Sequence, residues 1–183
     1  MLLRVVLSIP DFGQIDALAE PWRRLYAHSP LLSTVILFGH LGGLFSAGGL
    51  TVAADRATLR LDPMNEPDRR RHLGELARLQ RPVWLALVVA LFSGALLFLA
   101  DVEAFAGSPI FWTKMALVAL LLANAALTAR LDAALLRDED AATGLQPEAR
   151  GAARRWRHRR AGAVASALLW FGLVLVGTAL ASH

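Results

Sequence analysis

Long charge-free segments constrain this chain more than any other feature. Segments 31–54, 82–100, 104–129 and 161–182 contain one charged residue between them, Lys114. A charged side chain near the bilayer centre costs about 2.5–3.5 kcal/mol even on a lenient insertion scale, and a membrane-spanning helix needs about 20 apolar residues. The four segments therefore predict four transmembrane helices.

The composition agrees with this interpretation. The 183-residue chain is 56% hydrophobic, has no cysteine, and carries 19 Lys and Arg against 15 Asp and Glu. We predict an all-α fold, a polytopic membrane protein whose four transmembrane helices form an antiparallel bundle. A soluble globular domain, a DNA-binding domain and a disulfide scaffold are disfavoured.

The distribution of arginine predicts the orientation. Loop 55–81 contains seven Arg and loop 130–160 contains eight, whereas the N-terminal tail contains three and the 101–103 turn none. The positive-inside rule places both long loops in the cytoplasm and both termini outside. In a bacterium, this describes a multi-pass protein of the inner (cytoplasmic) membrane with periplasmic termini.

A dense basic run, residues 154–160, adjoins the fourth span. It could bind nucleic acid or a specific acidic lipid, but the predicted topology requires a basic segment here in any case. We therefore interpret it as a juxtamembrane anchor, with its arginines at anionic headgroups and Trp156 at the interface. The expected partners are anionic lipids of the cytoplasmic face and not nucleic acid.

The chain divides into a tail and a bundle. Residues 1–30 are predicted to be a periplasmic tail with an amphipathic interfacial helix over 11–27, capped by Asp11 and Gln14. Its apolar positions recur at helical spacing: Phe12, Ile15, Leu18, Trp22, Leu25 and Tyr26. Residues 31–183 are predicted to form the bundle, with spans at about 31–54, 82–100, 109–131 and 161–182.

Capping residues and prolines predict where helices begin. Ser29 and Ser108, each followed by proline, are expected to start spans 1 and 3. Asn65 is expected to start a short helix with a leucine face, and Pro82 to open span 2 separately. A turn is predicted at residues 144–147, before the last helix.

Polar residues inside a span are candidates for function because the membrane makes them costly. His40 lies in a glycine-rich stretch, and Gly39 and Gly43 form a small-xxx-small pair that allows close helix contact. One hypothesis is that His40 ligates the metal of haem b or a chlorophyll-type tetrapyrrole, since nearby glycines leave room for a flat macrocycle. The other is that His40 hydrogen-bonds across a tightly packed helix pair.

Two further polar residues lie in the spans. Lys114 either snorkels to the outer headgroups or faces the bundle near His40 as a proton donor or anion partner. Asn124 is interpreted as a hydrogen-bonding residue between helices. A bis-histidine haem is not expected, because spans 2 to 4 contain no histidine. An ion transporter is disfavoured, because no carboxylate lies inside a predicted span and Asp55 lies only at an end.

Two stretches resemble known families. Residues 38–43 (FGHLGG) through Asp55-Arg56, and residues 111–118 (FWTKMALV), resemble bacterial four-helix membrane proteins around CopD-type copper-resistance domains and their uncharacterised relatives. The same stretches are similar to HemJ-type protoporphyrinogen oxidases, in which a first-span histidine and a later-span lysine matter for a haem-dependent activity. That resemblance implies that His40 and Lys114 are cofactor-binding residues and that His40 is the metal ligand.

Two functions follow as expectations. The first is a non-catalytic integral membrane subunit that docks into and stabilises a larger respiratory or photosynthetic complex, because the spans are glycine-lined and polar groups for chemistry are few. The alternative is a single-histidine haem or other tetrapyrrole-binding membrane protein, with a HemJ-like porphyrin oxidase activity.

Overall fold

The structure, a computed structural model, describes residues 13–62, 65–141 and 149–181, and the regular structure in these residues is entirely helical. The helices are α1 (Gly13–His28), α2 (Pro30–Arg60), α3 (Glu66–Ala100), α4 (Val102–Ala106), α5 (Pro109–Ala141) and α6 (Ala149–Ala181). Helices α2, α3, α5 and α6 are long and apolar enough to cross a membrane. The predicted all-α class is confirmed, and so is the presence of four helices long and apolar enough to cross a membrane.

Some predictions concern residues that lie outside the described part of the chain. These are the cap at Asp11, the apolar position Phe12 and the turn at 144–147. The helix predicted over 11–27 is described from Gly13 onward, and the last helix from Ala149 onward.

The four long helices share one hydrophobic core. Its buried members come from every long helix: Ala47, Leu87, Leu121, Trp170 and Leu173. Helix α2 packs closely on α3 and also contacts α6, while α5 packs closely on α6. Helix α2 approaches α3 closely at Gly43, where an added Cβ would lie 2.8 Å from the Ala86 carbonyl oxygen and the Ala90 nitrogen. Close packing at Gly43, which the small-xxx-small pair predicted, is confirmed.

A second apolar cluster lies on the extensions of the helices beyond the predicted spans. It joins Leu73 and Leu76 of α3 to Leu135 of α5 and Trp156 of α6. Trp156 is therefore buried between helices, and its predicted place at the lipid interface is wrong. The reason is that α5 and α6 continue as a packed pair past the predicted ends of their spans, so Trp156 lies among leucines of α3 and α5.

Helix α3 is continuous through Pro82, so the prediction of two separate helices is wrong. Asn65 caps the start as predicted, with its side chain accepting from the Asp68 amide. Pro82 lacks an N–H and leaves the Arg78 carbonyl without its helical hydrogen bond. Because Pro82 is exposed, water can bond that carbonyl at the predicted membrane boundary, and the packed leucines of the preceding turns keep the helix going.

Serine caps start two of the long helices as predicted. The Ser29 hydroxyl accepts from the Leu32 amide at 3.4 Å, and the Ser108 hydroxyl accepts from the Phe111 amide at 3.4 Å. Between the second and third spans, the single-turn helix α4 is capped by Asp101, which accepts from the Ala104 amide at 3.2 Å. These caps satisfy amide groups that have no partner within the helix.

Helix α1 packs on the end of α3 and on α4. Ala19 is buried with Val102, and Trp22 donates from Nε1 to the Leu96 carbonyl at 2.9 Å. Leu18, by contrast, is 82% exposed. On the polar side, Arg23 and Arg24 hydrogen-bond Glu20 and lower the pKa of its carboxyl group. Helix α1 therefore contacts the bundle with one face and leaves apolar residues on another.

Candidate functional site

His40 lies between α2 and α3, where the two helices are closest. Its Nδ1 is 2.9 Å from the Ala90 carbonyl oxygen, and because a carbonyl only accepts, Nδ1 carries the proton and donates. The ring also packs against Gly94, where an added Cβ would lie 3.0 Å from Cε1. The hydrogen bond across a tightly packed helix pair, one of the two hypotheses for His40, is confirmed.

The hydrogen bond from His40 to the Ala90 carbonyl also concerns the hypothesis that His40 ligates the metal of a tetrapyrrole. A ring nitrogen that donates to a carbonyl fixes the tautomer and leaves the second nitrogen as the ligand atom, an arrangement common in metal sites. For His40 this atom is Nε2. Within the described residues, no group of three or more His, Cys, Asp or Glu could hold a metal ion. The described residues around His40 therefore do not form a metal site built from several protein ligands, and the tetrapyrrole hypothesis stays a prediction.

Lys114 is half-buried on α5, and its charge interacts electrostatically with the His40 ring. It makes no hydrogen bond or ion pair with any residue in the described ranges. The two sequence-predicted site residues lie on different helices, α2 and α5, which are not packed directly against each other in the described part of the chain. The cofactor-binding role of the pair stays a prediction.

Asn124 performs the role predicted for it. Its side-chain amide donates from Nδ2 on α5 to the Gly162 carbonyl on α6 at 3.1 Å. An added Cβ at Gly162 would lie 2.6 Å from a methyl carbon of Thr128. Asn124 and Gly162 therefore hold α5 and α6 together at close range.

A buried charge cluster, Asp55, Asp132 and Arg159, joins three of the long helices. Arg159 donates from Nε to Asp132 Oδ1 at 2.7 Å and from Nη1 to Asp55 Oδ1 at 3.1 Å. The side chains of Arg159 and Asp55 are only 4% and 6% exposed. We call these three residues the Asp–Arg–Asp cluster. The basic run 154–160 is therefore not wholly a surface anchor, because Arg159 points into the bundle.

Hydrogen bonds surround the cluster on the side away from the core. The Thr58 hydroxyl donates to the Ala54 carbonyl at 3.0 Å, so His72 Nε2 donates to the Thr58 oxygen, 2.8 Å away. Arg160 donates to the Leu59 carbonyl at 2.7 Å. These bonds join α2 to α3 and to α6 at residues next to the cluster along the chain.

A cavity of about 100 Å³ opens beside the cluster, between all four long helices. Its wall includes Asp55, Asp132 and Arg159, and also Thr51, Ser166 and Trp170. Its other side is the apolar core. Buried charges, hydroxyl groups and a cavity therefore meet at one place inside the bundle.

The burial of Asp55 could have been predicted from helical periodicity, but the predicted first span ended at residue 54 and left Asp55 outside it. Positions 47, 51, 55 and 58 recur at helical spacing, and Ala47, Asp55 and Thr58 are buried. Continuing the buried face of span 1 beyond residue 54 would have placed Asp55 inside the bundle. The pairing with Arg159, 104 residues away, leaves no local pattern.

No protein-family model, curated protein or solved structure matches this chain.

Proposed function

We propose that this protein is an integral membrane subunit that docks into a larger respiratory or photosynthetic complex through an outward face of α2. The observation that carries the proposal is a stripe of small residues on that face: Gly42, Ser46, Gly49 and Ala53. We call it the α2 stripe. Their spacing of four, three and four residues keeps them on one side of the helix.

The α2 stripe lies away from the neighbouring helices. A Cβ added at Gly42 or Gly49 would meet no atom within 4 Å, whereas one added at Gly43 would collide with α3. Lipid tails give no hydrophobic reason for helices to associate, so close backbone approach at small residues is what favours helix pairing in a membrane. Exposed Phe38 and Phe45 flank the stripe and would pack on the incoming helix.

The proposed orientation is an antiparallel bundle in a bacterial inner membrane, with the termini and α1 in the periplasm. It is supported by the arginine-rich loops and by contact pairs such as His40 with Ala90 and Thr58 with His72.

Because the chain has no cysteine, a single cysteine at Leu18 tests the orientation. A membrane-impermeant maleimide should label it in intact spheroplasts, and labelling only after lysis would contradict the proposal.

Replacing Gly49 with leucine should remove the protein from its complex without unfolding it. The new side chain points away from the bundle but blocks close approach of a second helix. The measurement is the size of the assembly from native membranes in mild detergent, read on a native gel with the thermal midpoint recorded in parallel. We expect most of the Gly49→Leu protein to migrate alone with an unchanged midpoint.

The matched control is Gly177→Leu on α6, where an added Cβ also meets no atom within 4 Å. This variant should stay in the complex. The proposal fails if the wild-type protein runs alone, if purified wild-type protein forms the same assembly by itself, or if both variants behave alike.

A second candidate is a tetrapyrrole-binding protein, supported by the His40 geometry. The Nδ1–H bond to the Ala90 carbonyl leaves Nε2 as the ligand atom, and Lys114 is a partner for an anionic edge of a macrocycle such as a propionate. A bound haem would supply redox chemistry, and these two residues would orient it.

An absorbance spectrum of the purified protein tests this candidate. We expect a Soret band in the wild-type protein that is lost in His40→Ala and kept in His28→Ala, which changes an exposed histidine of α1. A colourless wild-type preparation that takes up no haemin would contradict it.

A further inference from the structure

The charges around the cavity beside the Asp–Arg–Asp cluster do not balance. Two carboxylates, Asp55 and Asp132, face one guanidinium, Arg159, so the cluster carries a net charge of −1 when all three groups are ionised. An unbalanced charge in a low-dielectric interior is costly, and proteins compensate it with a partner or a bound ion. The cavity is where such an ion would lie.

One carboxylate oxygen of the cluster, Asp55 Oδ2, has no hydrogen-bond donor in the described residues. Asp55 Oδ1 accepts from Arg159, but Oδ2 is buried and accepts no hydrogen bond within the described part of the chain. The Ser166 hydroxyl lies next to the Asp55 carboxylate. A buried carboxylate oxygen with no donor is a ligand atom for a cation.

A second polar group at the cavity is also unsatisfied. Trp170 lines the cavity, and its buried Nε1–H has no acceptor among the described residues. This group needs an oxygen acceptor, while Asp55 Oδ2 needs a positive charge. A hydrated cation supplies both, because it binds the carboxylate and its coordinated water accepts from the indole. The cavity of about 100 Å³ is larger than the roughly 10–15 Å³ that one water needs, so it has room for an ion and water.

We propose that this cavity is a binding site for one monovalent alkali cation, with sodium as the test ion. Asp55 Oδ2 is the anionic ligand, and the hydroxyls of Thr51 and Ser166 are the neutral oxygen ligands. The net charge of −1 selects a single positive charge. An all-oxygen set selects a hard cation over zinc or copper, which prefer nitrogen and sulfur.

A proton on Asp55 would cancel the same charge but explains less. It would turn Oδ2 into a donor, while the Trp170 indole would still need an acceptor and the cavity would still need an occupant. The alkali cation with its water accounts for the carboxylate, the indole and the cavity together.

Thermal unfolding of the purified full-length protein in sodium chloride tests the site, with choline chloride at equal ionic strength as the reference. Binding only to the folded state raises the midpoint with sodium concentration, by about 3–6 °C at ten times the dissociation constant. We expect this rise in the wild-type protein and its absence in Asp55→Asn, which keeps the size of the side chain and removes its charge. The matched control, Asp68→Asn at an exposed position of α3, should respond like the wild type.

Tryptophan fluorescence provides a second readout that does not depend on the stability of Asp55→Asn. Sodium should change the emission of the wild-type protein in a saturable way, and Trp170→Phe should remove the change. Ser166→Ala should shift the titration to higher sodium concentration at least threefold. A midpoint and an emission that respond equally to sodium and choline, or to neither, overturn the proposal.

Discussion

Replacing Arg159 with methionine is expected to lower the free energy of unfolding by about 3–5 kcal/mol. Methionine retains most of the length of the side chain but removes the only positive charge that contacts Asp55 and Asp132 in the described residues. Both carboxylates then stay buried without a counter-charge, which is the costly outcome for a broken interior ion pair. Reversible denaturation in mixed micelles measures the loss.

The control for this change is Arg157→Met, two residues away on an exposed position of α6. An exposed substitution away from special features shifts stability by less than about 0.5 kcal/mol. Combining Arg159→Met with Asp55→Asn and Asp132→Asn should recover much of the loss, because the uncompensated charge is then gone. Equal stability of the Arg159 and Arg157 variants would show that the Asp–Arg–Asp cluster does not hold the helices together.

Replacing Gly43 with alanine is expected to destabilise the protein by about 1–3 kcal/mol. The added methyl group would lie 2.8 Å from two backbone atoms of α3, the Ala86 carbonyl oxygen and the Ala90 nitrogen. Backbone atoms cannot rotate aside as a side chain can, so α2 and α3 must separate. The separation also lengthens the His40 hydrogen bond to Ala90. The thermal midpoint should fall by about 2–4 °C for each kcal/mol lost.

The neighbouring glycine is the matched control. Gly42→Ala adds the same methyl group one position earlier, where it meets no atom within 4 Å. Alanine also favours helix over glycine, so this variant should be as stable as the wild type or slightly more so. Identical midpoints for the two alanine variants would contradict the close α2–α3 packing.

Features that depend on short stretches of sequence could be predicted. Caps at Ser29 and Ser108 follow from a hydroxyl that precedes a proline at the first helical turn. The bond from Asn124 to Gly162 follows from the cost of an unpaired amide in a span. The serine caps and the hydrogen-bonding role of Asn124 depend only on a residue type and its neighbours in the sequence, so they could be predicted without the tertiary structure.

The candidate site could be predicted only in part. His40 and Lys114 stand out because polar groups are rare in apolar segments, and the structure places them on α2 and α5 with an electrostatic interaction between them. Asp55, Asp132 and Arg159 do not stand out, because each adjoins a polar loop in which charges are common. Their burial could be predicted only by extending the buried side of each helix beyond the end of its apolar segment.

The four apolar helices could be predicted from the amino-acid sequence, because a charge-free segment of about 20 residues has few other stable structures. Which charged residues of the flanking regions are buried depends on how the helices pack. Helices α5 and α6 extend as a packed pair beyond the apolar segments, and this brings Arg159 to Asp55 across 104 residues of sequence. Some of the charged residues next to the apolar segments are therefore buried in the Asp–Arg–Asp cluster. Contacts between helices, and not position along the chain, determine which of them are buried.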